Sequence, residues 1–355
     1  MRTEPTSRVA IIADDLTSAA DGAAPFVARG RAALVGRGRV PGPARDVLAV
    51  DCGSRSADRS QAAARVRDLT TRLADCDVLY KTVDSTLRGH ITAELDACFE
   101  ASGRRTLVFA PAFPAAGRTT IGGIQLVDGV PVSESVYGRD PVHPARQSAL
   151  ADLVPRAIRN VILLDASSQE ELDAQVASLP APESILWVGS PGMASALARR
   201  LVPSARPAES IVATEGDVLV VVGSANPRSH RQAECIDRRA GVTLLHVPGK
   251  REDDPGAVLQ RIAAEAAQVL LRGDFGALIA TGGDTMEAVL DRLNVREFEV
   301  LQELESGFPL GRAKLPEGRH IMLAMKAGGF GDDATLRRAV ERLLGVSPLR
   351  ATGSV

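Results

Sequence analysis

Residues Val9–Gly22 read VAIIADDLTSAADG, an apolar run that leads into an acidic, hydroxyl-rich turn and then an alanine-rich segment. The run Val9–Ala13 is apolar throughout, which is typical of a strand buried on both faces of a parallel sheet. Asp15 or Thr17 is suited to cap a helix that begins directly afterwards. The stretch therefore predicts a strand, a tight turn and a helix, the repeating unit of an α/β fold.

The same alternation continues along the chain. Further strands are predicted at Val47–Val50, Val78–Tyr80 and Leu107–Ala110, and helices at Ser56–Leu73 and Ile91–Ala101. A second series begins at Val218–Val222 and ends with a helix from Asp332. Strands that alternate with helices imply parallel sheets with right-handed crossovers. Gly117–Pro131, rich in glycine, interrupts this order and predicts a hairpin at the rim of the first domain.

The chain has 355 residues, which is long for one hydrophobic core. Residues 204–216 are rich in Pro, Ala, Ser and Glu and are the best candidate for a linker. The predicted fold class is α/β with two domains, each a mostly parallel sheet flanked by helices. The first domain is expected at residues 1–203 and the second at 217–355, with the active site in the cleft between them.

Composition excludes several classes of function. The net charge of −2 offers no basic field for nucleic acid. The first apolar run is too short for a signal peptide or a membrane span, so we expect a cytoplasmic protein with no membrane partner. The four cysteines form no CxxC pair and are expected to be reduced thiols.

Four strand ends in the first half carry carboxylates, hydroxyls and cations. In open α/β sheets, ligands bind outside the carboxyl ends of the strands. The segments are ADDLTSAADG, DCGSRS, KTVDSTLRGH and PAFPAAGRTT, which supply Asp14, Asp15, Arg55, Lys81, Asp84, Ser85, Arg88 and Arg118. Together they favour a small, polar, anionic ligand, because Arg and Lys neutralise a carboxylate and Asp and Ser bind hydroxyl groups.

Each of these residues also has a structural interpretation. Asp15 could only cap a helix, and Asp84 and Arg88 could form a surface pair, four residues apart, of little energetic value. Arg55 and Arg118, each taken alone, are typical solvated surface groups, and His90 is interpreted as a structural or surface residue. The coincidence of four strand ends favours the binding site.

Three loops in the second half, VVGSANPRS, IATGGDT and MKAGGFGDD, each follow an apolar strand and precede a helix. Small residues let backbone N–H groups approach a ligand, and a helix N-terminus favours a phosphate. Gly282–Thr285 is a candidate phosphate cradle, and Lys326 is a candidate phosphate contact beside the glycines that begin at Gly328. Neither a GxxxxGK[ST] nor a GxGxxG motif is present, so P-loop and dinucleotide-binding proteins are disfavoured.

The motifs resemble those of the four-carbon acid sugar kinase family. The resemblance rests on IIADDLTSAADGA, YKTVDSTLRGHITAEL, APAFPAAGRTTIGG, VVGSANPRSHRQ, ATGGDT and MKAGGFGDD, which follow in that order from about Val9 to about Asp333. Family members have a sugar-acid domain followed by an ATP-binding domain. Two departures occur: Ser18 stands where the family often has Gly, and DCGSR is an unusual version of its arginine block.

The resemblance implies roles for individual residues. The acid-binding set comprises Asp14, Arg55, Lys81, Asp84 and Ser85, to which the residue pattern adds Arg118. The ATP-binding set comprises Ser224, Gly282, Gly283, Asp284, Thr285 and Gly328, to which the residue pattern adds Lys326. The catalytic candidates are Asp14, Asp15, Asp84 and Arg88. One of the three aspartates would orient the attacking hydroxyl and accept its proton, and the sequence leaves open which one.

The resemblance implies transfer of the γ-phosphoryl of ATP to the C4 hydroxyl of a threonate, erythronate or 3-oxo-tetronate type of acid. Mg²⁺ is expected to bridge the phosphates. The metal ligands and the stereoisomer are not encoded in the motifs. A non-catalytic sugar-acid sensor with the same fold is one alternative, and a hydroxy-acid dehydrogenase is another. A homodimer is expected, although no sequence motif indicates it.

Overall fold

The protein is described here from a computed structural model, which covers residues 7–42, 45–140, 143–203, 213–224, 226–236, 240–247 and 254–345. The described residues up to position 203, with Glu299–Gln302, form one compact unit. The remaining described residues from 213 onward form a second unit. Of the predicted linker, residues 204–212 lie outside the described residues.

The first unit contains strands β1 to β10 and helices α1 to α5. The strands are β1 Val9–Ala13, β2 Ala33–Arg37, β3 Val47–Asp51, β4 Val78–Thr82, β5 Thr106–Ala110, β6 Arg118–Ile121, β7 Ile124–Val127, β8 Val130–Pro131, β9 Val161–Leu163 and β10 Ile185–Gly189. The helices are α1 Leu16–Val27, α2 Arg59–Leu73, α3 Ile91–Ser102, α4 Gln169–Ser178 and α5 Pro191–Leu201.

The sheet of the first unit has the order β2-β3-β1-β4-β10-β5-β9, and its neighbouring strands are parallel. Ile12 of β1 pairs with Val50 of β3 on one side and with Lys81 of β4 on the other. This register brings the carboxyl ends of β1, β3 and β4 to the same edge of the sheet. The segments that follow these strands are therefore neighbours in space.

Local sequence explains where the helices begin. The Asp15 side chain accepts a hydrogen bond from the Ser18 amide, which caps α1 as expected. Helix α2 begins at Arg59, later than the predicted Ser56, because the Asp58 carboxylate accepts from the amides of Ser60 and Gln61. The segment Gly117–Pro131, for which a hairpin was predicted, forms a three-stranded antiparallel sheet of β6, β7 and β8, called here the excursion sheet.

The second unit contains helices α6 to α9 and strands β11 to β16, except for Glu299–Gln302 of β14, which belong to the first unit. The strands are β11 Asp217–Val222, β12 Val242–His246, β13 Phe275–Thr281, β14 Glu297–Glu305, β15 Phe308–Lys314 and β16 His320–Lys326. The helices are α6 Pro227–Glu234, α7 Pro255–Arg272, α8 Gly283–Arg292 and α9 Thr335–Leu343.

The sheet of the second unit runs β12-β11-β13-β16 in parallel and then turns antiparallel at β15, which neighbours β14. Sequence reasoning missed β14 and β15. Glu297–Glu305 alternates between buried and more exposed positions, which is the signal of a half-buried antiparallel strand. The predicted α/β class, with mostly parallel sheets flanked by helices, is confirmed.

Each unit has its own aliphatic core. In the first, Leu79, Leu107 and Val188 from the sheet pack with residues of α2 and α3, and in the second Val220, Ile279 and Ala324 pack with residues of α6 and α9. No helix in the described ranges is long and apolar enough to span a bilayer. The four cysteines are free thiols.

Candidate functional site

Asp14, Asp15 and Arg55 form one ionic cluster, called here the Asp14 cluster, at the ends of β1 and β3. The Arg55 Nη2 atom lies 2.7 Å from Asp14 Oδ2, and its Nε donates to the same oxygen at 2.8 Å. Arg55 Nη1 also pairs with Asp15 Oδ2. The guanidinium is thus shared between adjacent carboxylates, which explains why two acids can stand side by side at a strand end.

The backbone fixes this cluster. The amides of Ser54 and Arg55 donate to the Asp14 carbonyl at 3.0 and 3.1 Å, which continues the β1–β3 pairing beyond the strands. Burial and the neighbouring Asp14 carboxylate raise the pKa of Asp15, although Arg55 opposes them. The pKa of Arg55 is well above its ordinary value: burial opposes the charge, and Asp14 and Asp15 outweigh it.

The Asp84 turn after β4 forms a second cluster. Asp84 Oδ2 accepts from Thr86 Oγ1 at 2.6 Å and from Arg88 Nε at 2.5 Å. Leu87 between them has φ of 56°, in the left-handed region that non-glycine residues rarely adopt. Although burial opposes ionisation, Arg88 and then Arg55 hold the pKa of Asp84 well below its ordinary range. The electrostatic influence of Arg55 on Asp84 links the two clusters.

Tyr137 and Asp140 complete this region, and sequence reasoning missed both. Arg88 Nη1 lies 3.3 Å from Asp140 Oδ2, and the Arg88 guanidinium lies 5.3 Å from the centre of the Tyr137 ring. Arg118 approaches the same ring at 5.7 Å and donates to its hydroxyl oxygen at 2.9 Å. Tyr137 therefore joins two of the predicted arginines through cation–π contacts. Its segment follows the excursion sheet and carries no motif that could have revealed it.

Lys81 lies beneath this edge. Its side chain is fully buried, and Nζ pairs with Glu94 Oε2 of α3 at 2.7 Å and donates to the Thr82 carbonyl at 2.8 Å. Burial lowers the pKa of Lys81, but Glu94 and then Asp14 outweigh this and hold it above the ordinary value. Glu94 was missed, although its spacing from Ile91 and Cys98 places it on the buried face of α3.

Ser85 is also buried, and its carbonyl accepts from the Gln125 side chain at 2.8 Å. His90 bonds through Nε2 to the Ala57 carbonyl at 2.8 Å, and its ring meets that of His143 edge-on at 6.1 Å. This bond ties the Asp84 turn to the segment that precedes α2. It agrees with the structural interpretation of His90.

Three buried polar atoms near the Asp14 cluster have no hydrogen-bond partner among the described residues. They are Asp14 Oδ1, Thr17 Oγ1 and Ser54 Oγ. Asp15 and Asp84 differ from Asp14, because both oxygens of each accept a bond or an ion pair. A buried carboxylate oxygen without a donor is costly, and Asp14 Oδ1 can accept a hydrogen bond from a ligand hydroxyl.

The phosphate candidates of the second unit lie on three neighbouring strand ends. Ser224 follows β11, Gly282 follows β13 and Gly328 follows β16, and these strands are adjacent. A Cβ atom on Gly328 would lie 2.2 Å from Ser224 Oγ, and one on Gly223 would lie 2.1 Å from Thr285 Oγ1. Gly282 has φ of 91°. The three loops are thus packed closely enough that only glycine fits these positions.

Helix α8 begins at Gly283, so the amides of Gly283 and Asp284 have no acceptor within the helix. Together with the helix dipole, they can bind an anion at this end of β13. Asp284 is exposed, and Thr285 is buried with its amide bonded to the Gly282 carbonyl at 3.1 Å. Gly282–Thr285 thus lies at the N-terminus of α8, and its role as a phosphate cradle remains a prediction.

Lys326 does not point into open space. It is 1% exposed, and its Nζ donates to the carbonyls of Ala327, Gly328 and Phe330. Burial, followed by repulsion from Arg228, lowers the pKa of Lys326 to about 7, while Glu305 partly opposes this. The ammonium therefore binds the backbone of its own loop.

The described residues contain no group of three or more His, Cys, Asp or Glu side chains able to hold a metal ion. Asp14, Asp15 and Asp84 each face a guanidinium, which disfavours a cation there. The exposed Asp284 beside the phosphate cradle is the remaining predicted carboxylate. This donor set fits a Mg²⁺ ion held mainly by nucleotide phosphates and water.

Comparison with known proteins also finds one family for the first half of the chain and another for the second. A family described as "Sugar-binding N-terminal domain" matches residues 9–160, and one described as "Nucleotide-binding C-terminal domain" matches residues 248–336. A D-threonate kinase of Cupriavidus necator is 32% identical over 404 aligned positions, which cover 93% of this chain and 96% of that kinase.

Solved structures share the fold. One from Salmonella typhimurium LT2, described as a putative tRNA synthase, has a TM-score of 0.77 at 20% identity, covering 94% of this chain and 98% of its own. One from Bordetella bronchiseptica, described as a domain of unknown function with bound citrate in a domain-swapped dimer, has a TM-score of 0.50 at 30% identity. It covers 96% of this chain and 99% of its own.

Proposed function

This chain belongs to the four-carbon acid sugar kinase family and is a phosphotransferase, and we propose that it transfers the γ-phosphoryl of ATP to the C4 hydroxyl of a tetronate. The observation that supports a hydroxylated acid as phosphoryl acceptor is Asp14 Oδ1. This buried carboxylate oxygen lies beside the Arg55 guanidinium and has no hydrogen-bond donor among the described residues. An oxygen of this kind is satisfied by a hydroxyl group of a bound ligand. A polyhydroxylated acid brings such groups.

The acid is proposed to bind at the edge formed by the Asp14 cluster and the Asp84 turn. Arg88 uses Nε and Nη1 for Asp84 and Asp140, and its Nη2 donates to no described residue. That N–H group is available to the substrate carboxylate, and Arg118, which contacts the same Tyr137 ring, supports the same charge. Lys81 is buried beneath this edge and is proposed to act on the acid only indirectly. It does so through its electrostatic field and through its hydrogen bond to the Thr82 carbonyl.

Among the three aspartates, Asp14 is proposed to orient the attacking hydroxyl and accept its proton. Asp84 is held strongly ionised by Arg88 and Arg55, and Asp15 caps α1. Only Asp14 has an oxygen free of other donors within the described residues. The proton passes from the C4 hydroxyl to Asp14 Oδ1 as the hydroxyl oxygen attacks phosphorus and the bond to the ADP oxygen breaks.

ATP is proposed to bind the second unit at Ser224, Gly282–Thr285 and Gly328, with backbone amides toward the phosphates. Mg²⁺ would be held by those phosphates with Asp284 as its protein carboxylate, and it would neutralise charge that develops during transfer. The reaction requires the γ-phosphate and the acid's hydroxyl to meet in line. The cleft between the domains predicted from sequence, and the boundaries 1–203 and 217–355, remain predictions.

Within the family, D-threonate is the proposed substrate, because the relative at 32% identity is named a D-threonate kinase. Erythronate and 3-oxo-tetronate are the alternatives that the assay must compare. A homodimer is proposed by analogy with the citrate-bound Bordetella bronchiseptica structure, which is described as a domain-swapped dimer. Citrate is itself a hydroxy acid with several carboxylates, which is the ligand chemistry expected here.

The assignment of Asp14 is tested with Asp14→Asn. Loss of the proton acceptor should lower kcat about 100-fold or more while ATP binding, measured by calorimetry, is unchanged. Asp96→Asn on the exposed side of α3 is the matched control and should behave like the wild type. Retention of wild-type turnover in Asp14→Asn would remove Asp14 from the mechanism. An acid that binds without ADP release in the wild type would favour the sensor alternative.

A further inference from the structure

The loop Ala327–Asp332, called here the glycine loop, is held along its carbonyl side. Lys326 Nζ donates to the carbonyls of Ala327 at 2.9 Å, Phe330 at 3.1 Å and Gly328 at 3.3 Å. These three bonds use all three protons of an ammonium group. No hydrogen bond or ion pair of the described residues joins Lys326 to a carboxylate.

Helix α6 supplies donors to the same side of the loop. Ser229 Oγ donates to the Gly328 carbonyl at 2.9 Å, and Gln232 Nε2 donates to Phe330 and Asp332 at 3.0 and 2.6 Å. Arg228 Nη1 donates to the carbonyls of Gly331 at 2.9 Å and Gly329 at 3.3 Å. Every carbonyl from Ala327 to Asp332 therefore accepts from Lys326 or from a side chain of α6.

This arrangement decides where the amides of the glycine loop point. In a planar peptide, the C=O and the following N–H point in opposite directions. The amides of Gly328, Gly329 and Gly331 donate to no described residue, and each follows a carbonyl that is bound. Gly328 also lies against Ser224 at the end of β11. The loop thus presents unpaired N–H groups on the side away from Lys326, which is a typical anion-binding concavity.

We propose that Lys326 is a positioning residue for the nucleotide and not a phosphate ligand: with Gln232 it holds the carbonyl side of the glycine loop so that the loop amides face the phosphates of ATP. This assignment rests on the proposed kinase function for the identity of the anion, and it replaces the phosphate contact expected from the sequence. The chemistry is that of a backbone anion site whose selectivity for phosphate comes from N–H groups.

Burial supports the same role. A lysine that bound phosphate directly would keep Nζ accessible, whereas Lys326 is almost completely buried and surrounded by carbonyl oxygens. Met has nearly the length of Lys but no donors, so Lys326→Met removes three hydrogen bonds with little change of volume. Gln232→Leu removes two more from α6 without touching Lys326. Exposed Lys314 at the end of β15 provides the control Lys314→Met.

The experiment measures amide hydrogen exchange of the ligand-free protein together with ATP affinity by calorimetry. In Lys326→Met, we expect exchange in the peptide that covers the glycine loop to accelerate about tenfold and ATP affinity to fall about tenfold or more. Gln232→Leu should change both quantities in the same direction, and Lys314→Met should change neither. In turnover assays, KM for ATP should rise while KM for the acid stays near the wild-type value.

Two results would overturn the assignment. ATP affinity that falls with loop exchange unchanged identifies Lys326 as a direct phosphate ligand, and no change in either quantity removes it from the site. Should Lys326→Met fail to fold, Gln232→Leu supplies the same comparison. Because exchange and ATP binding need no acid substrate, an absence of turnover with every acid would count against the kinase reaction and leave this test standing.

Discussion

At the scale of single residues, two arginines of the first unit are paired with aspartates before any ligand arrives. Arg55 is shared by Asp14 and Asp15, and Arg88 by Asp84 and Asp140. Each guanidinium is thereby fixed in direction, so the substrate meets donors that need little reorganisation. Asp14 keeps the one carboxylate oxygen of the three candidate aspartates that has no donor among the described residues.

A substitution at Asp84 tests whether the i,i+4 pair of Asp84 and Arg88 stabilises the fold. Asp84→Asn should destabilise the fold by about 2 kcal/mol at neutral pH, because it leaves Arg88 partly buried without its main partner. The depressed pKa of Asp84 means that the ionised form contributes stability above the ordinary Asp range. That contribution is lost as the pH falls through the lower folded-state pKa.

Denaturant unfolding between pH 7 and pH 2 is the measurement for Asp84→Asn. Asp68→Asn is the control, since Asp68 and Arg72 form an i,i+4 pair of the same kind on the exposed face of α2. That control should change stability by less than about 0.5 kcal/mol. Equal effects of the two substitutions would show that Asp84 is only a surface partner.

Gly328 tests the close packing of the phosphate loops. A Cβ at this position would lie 2.2 Å from Ser224 Oγ, so Gly328→Ala should lower the melting temperature and weaken ATP binding. The double variant Gly328→Ala with Ser224→Ala removes the nearest atom and should recover part of the lost stability. Calorimetry of the single and double variants measures both effects. A purely additive loss in the double variant would contradict the contact.

At the scale of elements, the sequence predicted the strand–turn–helix units well because near-continuous apolar strands and capped helices leave strong local signals. Asp15 before α1 and Gly282 before α8 are examples. The hairpin of β14 and β15 was missed, because Glu297–Glu305 alternates polar and apolar residues and lacks the continuous apolar run that marks the parallel strands. Tyr137 and Asp140 join the site only through tertiary packing, which no local spacing encodes.

The buried pair of Lys81 and Glu94 tests how β4 is joined to α3. Glu94→Gln should destabilise the fold by about 3 kcal/mol, because it leaves a fully buried ammonium without its carboxylate. The double variant Lys81→Met with Glu94→Leu should recover much of this loss. Chemical denaturation of the three proteins is the measurement. A double variant as unstable as Glu94→Gln would show that the charge itself holds the fold.

The same double variant also bears on the site. If Lys81 acts on the acid through its field, KM for the acid should rise in Lys81→Met with Glu94→Leu while KM for ATP is unchanged. Lys81 was predicted from the sequence as a substrate contact, and that role remains a prediction. The sequence could not show the burial of Lys81, because its partner is on a helix that begins ten residues later.

At the scale of the whole molecule, the chain divides into two units with different chemistry. The first gathers carboxylates and guanidinium groups at one sheet edge, and the second gathers glycines and helix N-termini at another. The first suits a hydroxylated acid and the second a polyphosphate. Family membership and this division together support phosphoryl transfer between the two ligands.

The most direct measurement of the central claim is ADP release by the purified protein with ATP, Mg²⁺ and a panel of D-threonate, D-erythronate and 3-oxo-tetronate, with phosphorus NMR of the product. The account predicts ADP release that depends on one of these acids, greatest with D-threonate, and a phosphate ester at C4. Binding of both ligands with no phosphate ester from any acid on the panel would contradict it.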